Sequence, residues 1–589
     1  MTDVAPRLWA RRWALLAIAT VVTVAAVVVD AQPLRSPWWT YADADAAYTA
    51  SALNLMLGRD VAYVDHPGLP LTEAVALAFT AQALVEERGL SERSRVAFVD
   101  RRLLDLDRTR GTFRGFAVAF YLLGSVLAFL LTARLLGHWS WGLAAGLLWV
   151  AAPGLIGMSI QLRPDVPLAV VTLVFAFALA RAVERRSATW LAAAAFTAGI
   201  AAMVKLHALA LVPALAVAAL WRFPQERADA DLARRIRRRL REHRPLAAGI
   251  AAAWLGVVVL VHALRWPFSL TAGQLTAVAV VVGAAAGTFA LARGISRAGA
   301  PRPVRRAADA TAVVVAAFAA GLLAPATITV AEGSRALVYI VNAISGRGVQ
   351  QGVSSFTTPL SDLPAVVGTP VLLVFALALL AAVVGVLRGD PRPVVWTVAA
   401  ASMGVMAFAR PPNVHYFAPT FLLATLAVLA MLQREPRART SLLVWPVVLY
   451  VFLPAWGARA GPAEEQERMA ALVAPAKAYV DEHAGAGEIA LVPSYWPFAD
   501  ARFFELVEIY VEHVPPYAYR YLPATAAARA FAAERGLRPR YFIGPQAQGL
   551  ATPERQPLAD FGEYTLAPVR EADDLLAELV DGPGITEPW

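Results

Sequence analysis

Two carboxylates, Asp43 and Asp45, stand two residues apart in YADADAAYTASALNLMLGRDVAYVDHPGLPL, the stretch from Tyr41 to Leu71. Such a pair can abstract a proton or hold a hard divalent cation such as Mg²⁺ or Mn²⁺. It can also simply open a helix. Ala47, Ala50, Leu53 and Leu57 follow at helical spacing, and carboxylates at a helix entrance meet its unpaired N–H groups. Without context this is an N-cap before an amphipathic surface helix. Tyr48 lies three residues beyond Asp45, and the stretch closes on Asp65, His66 and Pro67. Three further places set ionisable groups among apolar residues: Arg163 and Asp165 in QLRPDVPLA, Lys205 and His207 in AGIAAMVKLHALALVP, and Arg410, His415 and Tyr416 in RPPNVHYF. For Arg163, Lys205, Arg265 and Arg410 the plain alternative is snorkelling to a membrane interface. Lys205 is apolar-flanked on both sides. A charge at membrane depth costs roughly 2.5–3.5 kcal/mol on insertion scales, so Lys205 demands a partner, and an anionic phosphate is one.

The elements that must position these residues are membrane helices. The 589 residues are 58% hydrophobic and 16% charged, with a mean hydropathy of +0.54, too apolar for a soluble protein. The net charge of +9 rests almost wholly on Arg, Lys205 and Lys477 being the only lysines. These arginines cluster between apolar runs, as topology requires and nucleic-acid binding does not. The absence of Cys excludes disulfides, thiolate metal sites and a Cys nucleophile. No Walker-type loop, H-E-x-x-H or G-x-S-x-G occurs, which argues against an ATP-driven pump, a zinc protease and a serine hydrolase.

Apolar runs recur at about 13–30, 113–135, 141–160, 166–183, 188–204, 207–221, 246–264, 273–292, 310–330, 364–387, 393–409, 416–432 and 441–457, which gives thirteen candidate spans. The first, behind Arg7, Arg11 and Arg12 and without a small-residue cleavage site, reads as an uncleaved signal anchor with its N-terminus in the cytoplasm. On that count the Arg-rich loops near 181–186, 222–244, 293–306, 388–392 and 434–439 are cytoplasmic, above all RRIRRRLREHR at 234–244. The other face of the plasma membrane receives a long first loop, 31–112, the turns at 161–167 and 205–207, the segments 265–271 and 410–417, and a Gly/Ser/Thr-rich loop, 331–363. That last loop reads either as a connector or as a segment that orders over substrate. After Trp456 the composition turns polar. A helix over about 461–483, a strand at EIALVPSYW, helices at 502–512 and 524–535, a strand at RYFIGP and a strand–helix pair at 563–579 make a soluble α/β domain. The expected organisation is therefore a transmembrane domain, 1–460, and an extracytoplasmic α/β domain, 461–589.

DADAAYTASALNLMLG with DHPGLPL, then QLRPDVPLA, AGIAAMVKLHALALVP and NVHYFAPTFLLATLAVLA resemble, in order and spacing, the polyprenyl-phosphate-sugar-dependent glycosyltransferases of the GT-C class. That class includes protein O-mannosyltransferases and lipid A aminoarabinose transferases. Asp45 and Tyr48 match its first-loop pattern, while Ala46 stands where Glu is common and Gly68 where Pro is. The resemblance implies a mainly α, polytopic GT-C-like bundle. It implies a lipid-phosphate sugar donor, an acceptor hydroxyl on protein, lipid or glycan, and Asp45 as general base in an inverting displacement. Cationic groups such as Lys205 and Arg410 would hold the phosphate, and a metal on Asp43, Asp45 and Asp165 stays an alternative to Arg and Lys alone. A secondary transporter is the main rival, and a lipid-linked polymer ligase or flippase the next. Against transport, the charges gather at span ends rather than at mid-membrane, and broken helices do not recur in matched halves.

Overall fold

A computed structural model describes residues 4–30, 42–59, 68–104, 106–152, 154–222, 272–326, 330–344, 368–408, 414–433, 471, 474–492, 520–523, 530, 532–545, 559–561 and 564–568. The runs expected at 246–264 and 441–457, the segment 265–271 with Arg265, and the helix expected at 502–512 lie outside them.

The helices are α1 (Val4–Asp30), α2 (Ala42–Leu57), α3 (Leu69–Glu86), α4 (Glu92–Leu104), α5 (Leu106–Leu136), α6 (Trp139–Val150), α7 (Leu155–Met158), α8 (Asp165–Glu184), α9 (Ala188–Val204), α10 (Val212–Arg222), α11 (Ala272–Arg297), α12 (Arg302–Ala326), α13 (Val330–Ile344), α14 (Thr369–Arg388), α15 (Pro391–Phe408) and α16 (Ala418–Gln433). Among the described residues six are long and apolar enough to cross a membrane, within α3, α5, α8, α11, α12 and α14, and shorter apolar helices include α6, α9 and α16. The protein is a multi-pass membrane helix bundle. Its lipid-facing helices expose large apolar side chains, as Leu379, Val383 and Leu387 of α14 do.

Three expectations change. The first loop, 31–112, is largely helical, through α2, α3, α4 and the start of α5, and loop 331–363 begins inside α13. In α13 the buried Ala336, Leu337 and Ile340 share one face, a periodicity that outweighs the local Gly and Ser. The run 141–160 divides into α6 and the single-turn α7, with Gly154 at φ 73° between them.

The chain forms two compact units. One comprises Met1–Gln32, Leu55–Gln82 and Arg114–Arg459; the other comprises Pro33–Asn54, Ala83–Phe113 and Ala460–Trp589. Within the first, α9 packs between α8 and α12. Gly199 and Gly321 let α9 and α12 approach so closely that a Cβ on either would collide with the other helix's backbone. The Trp396 indole of α15 donates to the Ala176 carbonyl of α8 at 2.9 Å, fastening two antiparallel helices. In the second unit five strands, β1 (Glu488–Val492), β2 (Tyr521–Pro523), β3 (Arg538–Pro545), β4 (Ala559–Phe561) and β5 (Tyr564–Pro568), form one sheet in the order β2-β1-β3-β5-β4. β1 is parallel to both neighbours, with Ala490 opposite Tyr521 and Tyr541, and β5 is antiparallel to β3 and β4. A helix over 474–483 supplies Ala476 and Val480 to the core of this sheet beside Ala490, Val492 and Ile543.

Candidate active site

Helix α8 starts abruptly at Asp165. Arg163 and Pro164 precede it, and the Pro164 carbonyl accepts the first helical bond from Leu168 at 2.8 Å. A carboxylate at this position is favoured by the positive end of the helix dipole. The next helix, α9, runs back and ends at Val204, and Lys205 leaves it in an extended conformation, φ −157° and ψ 131°, before a 3₁₀ turn, Leu206–Leu211. Its ammonium therefore sits at a helix C-terminus, where a cation is favoured. The two groups meet: Lys205 Nζ donates to Asp165 Oδ1 at 2.6 Å, with side chains 2% and 4% exposed. The partner that Lys205 demands in the sequence is thus a carboxylate forty residues away.

Two more elements close on this pair. Gly68, at φ 47°, donates its N–H to the Val204 carbonyl at 3.0 Å, one residue before Lys205, and its own carbonyl accepts from Leu71 and Thr72 at the start of α3. The turn that ends the Asp65–His66–Pro67 stretch is thereby tied to the end of α9. From the other side a 3₁₀ turn, Val414–Phe417, presents Tyr416, whose ring lies 4.3 Å from Lys205 Nζ and stacks on His207 with centroids 5.1 Å apart and planes at 30°. A cation over a ring face contributes about 0.5–2 kcal/mol, more where water is excluded. Arg163, half-buried on the Asp165 turn, has an Nε shielded from solvent with no hydrogen-bond partner among the described residues.

Asp165, Lys205, His207 and Tyr416 are therefore one cluster, with Arg163 on the same turn. Asp43 and Asp45 lie in the first turn of α2, and their side chains are outside the described residues. Tyr48 is buried, and from Tyr48 to Met56 every residue of α2 is buried, so this helix is not a surface helix. His66 and Arg410 lie outside the described residues, as does the side chain of His415. The sequence reading missed Glu73, 2% exposed on α3, one turn beyond Gly68. Its signal was an acidic residue inside the apolar LPLTEAVALAF. Among the described residues no three His, Asp or Glu side chains gather as a metal site. Asp165 Oδ1 accepts the Lys205 ammonium at 2.6 Å, and the side chains of Asp43 and Asp45, the other two carboxylates of the expected metal set, lie outside the described residues.

The opposite end of α8 is built differently. Asp390, before α15, accepts the Arg392 backbone N–H at 3.2 Å and its guanidinium through Nε at 3.1 Å and Nη2 at 3.0 Å. Arg392 Nη1 reaches Glu184 at 3.1 Å, Arg181 Nη1 reaches the same carboxylate at 2.9 Å, and Arg181 Nη2 donates to the Arg134 carbonyl at 2.9 Å. Gln433 Nε2 donates to the Leu136 carbonyl at 2.8 Å, which joins the ends of α5 and α16. Loops 181–186 and 388–392, assigned to one face by their arginines, thus bond to each other, and Gly68, Asp165 and Tyr416, from segments assigned to the other face, gather at Val204 and Lys205.

Residues 107–229 match the family model described as dolichyl-phosphate-mannose-protein mannosyltransferase. The match contains Asp165, Lys205 and His207 and bears out the likeness to the GT-C class. Among solved structures, the Archaeoglobus fulgidus oligosaccharyltransferase in the apo form is similar at 12% identity over 90% of this chain and 69% of that one, TM-score 0.42. ArnT from Cupriavidus metallidurans is similar as the complex with undecaprenyl phosphate, at 15% identity over 96% and 99% with TM-score 0.30. Its apo state gives 14% identity over 95% and 98% with TM-score 0.31. No curated protein sequence matches the chain.

Proposed function

We propose that this protein is an inverting membrane glycosyltransferase that moves a sugar from a polyprenyl-phosphate donor to an acceptor hydroxyl. The observation that carries the reading is the buried Asp165–Lys205 pair under Tyr416, inside the segment that matches a lipid-phosphate-sugar transferase family. The donor enters sideways from the bilayer, and Lys205, with Arg163 and Arg410, holds its phosphate and stabilises the charge that develops on the leaving group. Asp45 accepts the proton of the acceptor hydroxyl as that oxygen attacks the anomeric carbon. The bond from anomeric carbon to phosphate oxygen breaks, and its electron pair leaves with the polyprenyl phosphate. His207 and Tyr416, stacked on each other beside Lys205, line the phosphate site.

Proteoliposomes test the reading. Sugar from a radiolabelled polyprenyl-phosphate sugar should appear on an added acceptor fraction; uptake of solute without transfer would identify a transporter. The reading also puts the N-terminus in the cytoplasm and the second unit's segment 83–113 on the outer face. Because the chain lacks Cys, Glu92→Cys should react with an impermeant thiol reagent in intact cells and Arg186→Cys should not; the reverse pattern inverts the topology.

A further inference from the structure

We propose that Asp165 is the release partner of the donor phosphate: it competes for the Lys205 ammonium, so that the spent lipid phosphate can leave. This rests on the reading that Lys205 holds that phosphate. The charges on either side of the reaction differ. A polyprenyl-phosphate sugar is a phosphodiester with one negative charge, whereas the leaving polyprenyl phosphate is a monoester that carries up to two at neutral pH, its second pKa being about 6. A buried ammonium acting alone would hold the product more tightly than the donor, since attraction in a water-excluded site grows with the ligand's charge. Product would then block the site.

The geometry supplies a counterweight. Asp165 Oδ1 lies 2.6 Å from Lys205 Nζ, and the side chains are 4% and 2% exposed. Each group is anchored to a rigid element, Asp165 on the first turn of α8 and Lys205 at the end of α9, so the carboxylate stays beside the ammonium whatever binds there. With the site empty, Asp165 removes the penalty of a bare buried cation. With donor bound, Lys205 serves one phosphate charge and one carboxylate. When the anomeric bond breaks and the phosphate gains its second charge, the adjacent carboxylate repels it, and the Lys205 ammonium stays with Asp165 as the lipid phosphate leaves. Lysine suits such an exchange, for its three donors sit on a compact head at the end of a flexible stem. The Tyr416 ring, 4.3 Å from Nζ, keeps the ammonium in place during the handover.

The test compares binding of a polyprenyl monophosphate and of its methyl phosphodiester to the full-length protein in nanodiscs of zwitterionic lipid. Asp165→Asn keeps the side-chain shape and removes the charge. It should tighten the monoester by about tenfold, the range of one charge-assisted contact, and the diester by less. Turnover should then become limited by product release, with a burst of transfer in the first cycle. In the Lys205→Met background the same Asp165→Asn change should still favour the monoester over the diester, a comparison that stands even if the single Asn variant does not fold. Monoester binding unchanged or weakened by Asp165→Asn in both backgrounds overturns the release role. If Lys205→Met also leaves both ligands' affinities untouched, the assignment of Lys205 to the phosphate falls as well, which separates the two failures.

Discussion

The two ends of α8 carry the same kinds of charge and use them in opposite ways. At Glu184 the pairing is redundant: Arg392 is held by Asp390 and Glu184 through three nitrogens, and Arg181 adds a second cation to Glu184 and ties the helix to the Arg134 carbonyl. Losing one of these contacts leaves the rest. At Asp165 an ammonium meets a carboxylate under an aromatic ring, both nearly sealed from solvent. Guanidinium forks fix geometry through paired hydrogen bonds; a lysine head is a point charge that can change partners. Guanidinium forks at one end therefore read as a structural lock, and an exchangeable lysine charge at the other reads as a ligand site.

The largest expected effect would come from moving the chemistry itself. Asp45→Asn keeps the shape of the side chain and removes its basicity, so folding should survive while transfer falls by about 10²–10⁴-fold, the usual contribution of a general base. Near-normal turnover at saturating donor and acceptor would send the base to Asp165 or His66, and with Asp165 the α8 end would become catalytic as well as binding. Next comes the lock. Arg392→Met takes the guanidinium away from Asp390, itself 3% exposed, and from Glu184 at once, and should destabilise the bundle by roughly 3–5 kcal/mol, as breaking a buried pair does. The folded fraction should keep its turnover, and a drop in transfer per folded molecule would mean that the two ends are coupled.

The smallest effect belongs to an exposed pair in the other unit. Glu488 accepts the Gly485 N–H at 2.8 Å and the Arg540 guanidinium at 2.7 Å; the backbone bond first, then Arg540, lower its pKa below the ordinary 4.5. A depressed carboxylate stabilises the fold fully above the unfolded value, and that contribution is lost as pH falls through the folded one. Thermal melts of the wild type should therefore decline more steeply than those of Glu488→Gln between about pH 5 and 3. Parallel melts would mean that the surface pair contributes nothing, and would sharpen the contrast with the buried ones.

Much of the bundle was legible in the sequence because the membrane imposes a length and hydropathy that local residues reveal. The runs at 166–183 and 188–204 became α8 and α9 almost residue for residue. The grouping of loops was legible through arginine placement, and the Glu184 network follows it. What could not be read was pairing at a distance. Nothing near Lys205 names Asp165 as its partner, and nothing near Tyr416 says that its ring meets that ammonium. Glu73 was hidden for the opposite reason, since one acidic residue hardly lowers the hydropathy of its run. α13 was misread as loop because Gly333 and Ser334 bias its first turn, while the face formed by Ala336, Leu337 and Ile340 becomes decisive only when a neighbour covers it. The short β2 lacks alternation over its three residues, Tyr521–Pro523, and exists by pairing with β1.

The contrast between the two ends of α8 is tested most directly by one binding measurement: the affinity of a polyprenyl monophosphate for Lys205→Met and for Arg392→Met, each against wild type, on folded protein in zwitterionic nanodiscs. Loss of a charge-assisted contact should weaken binding to Lys205→Met by about one to two decades, while Arg392→Met should stay within about twofold. Equal losses in the two variants, or a larger loss in Arg392→Met, would contradict the assignment of the ligand site to the Asp165 end.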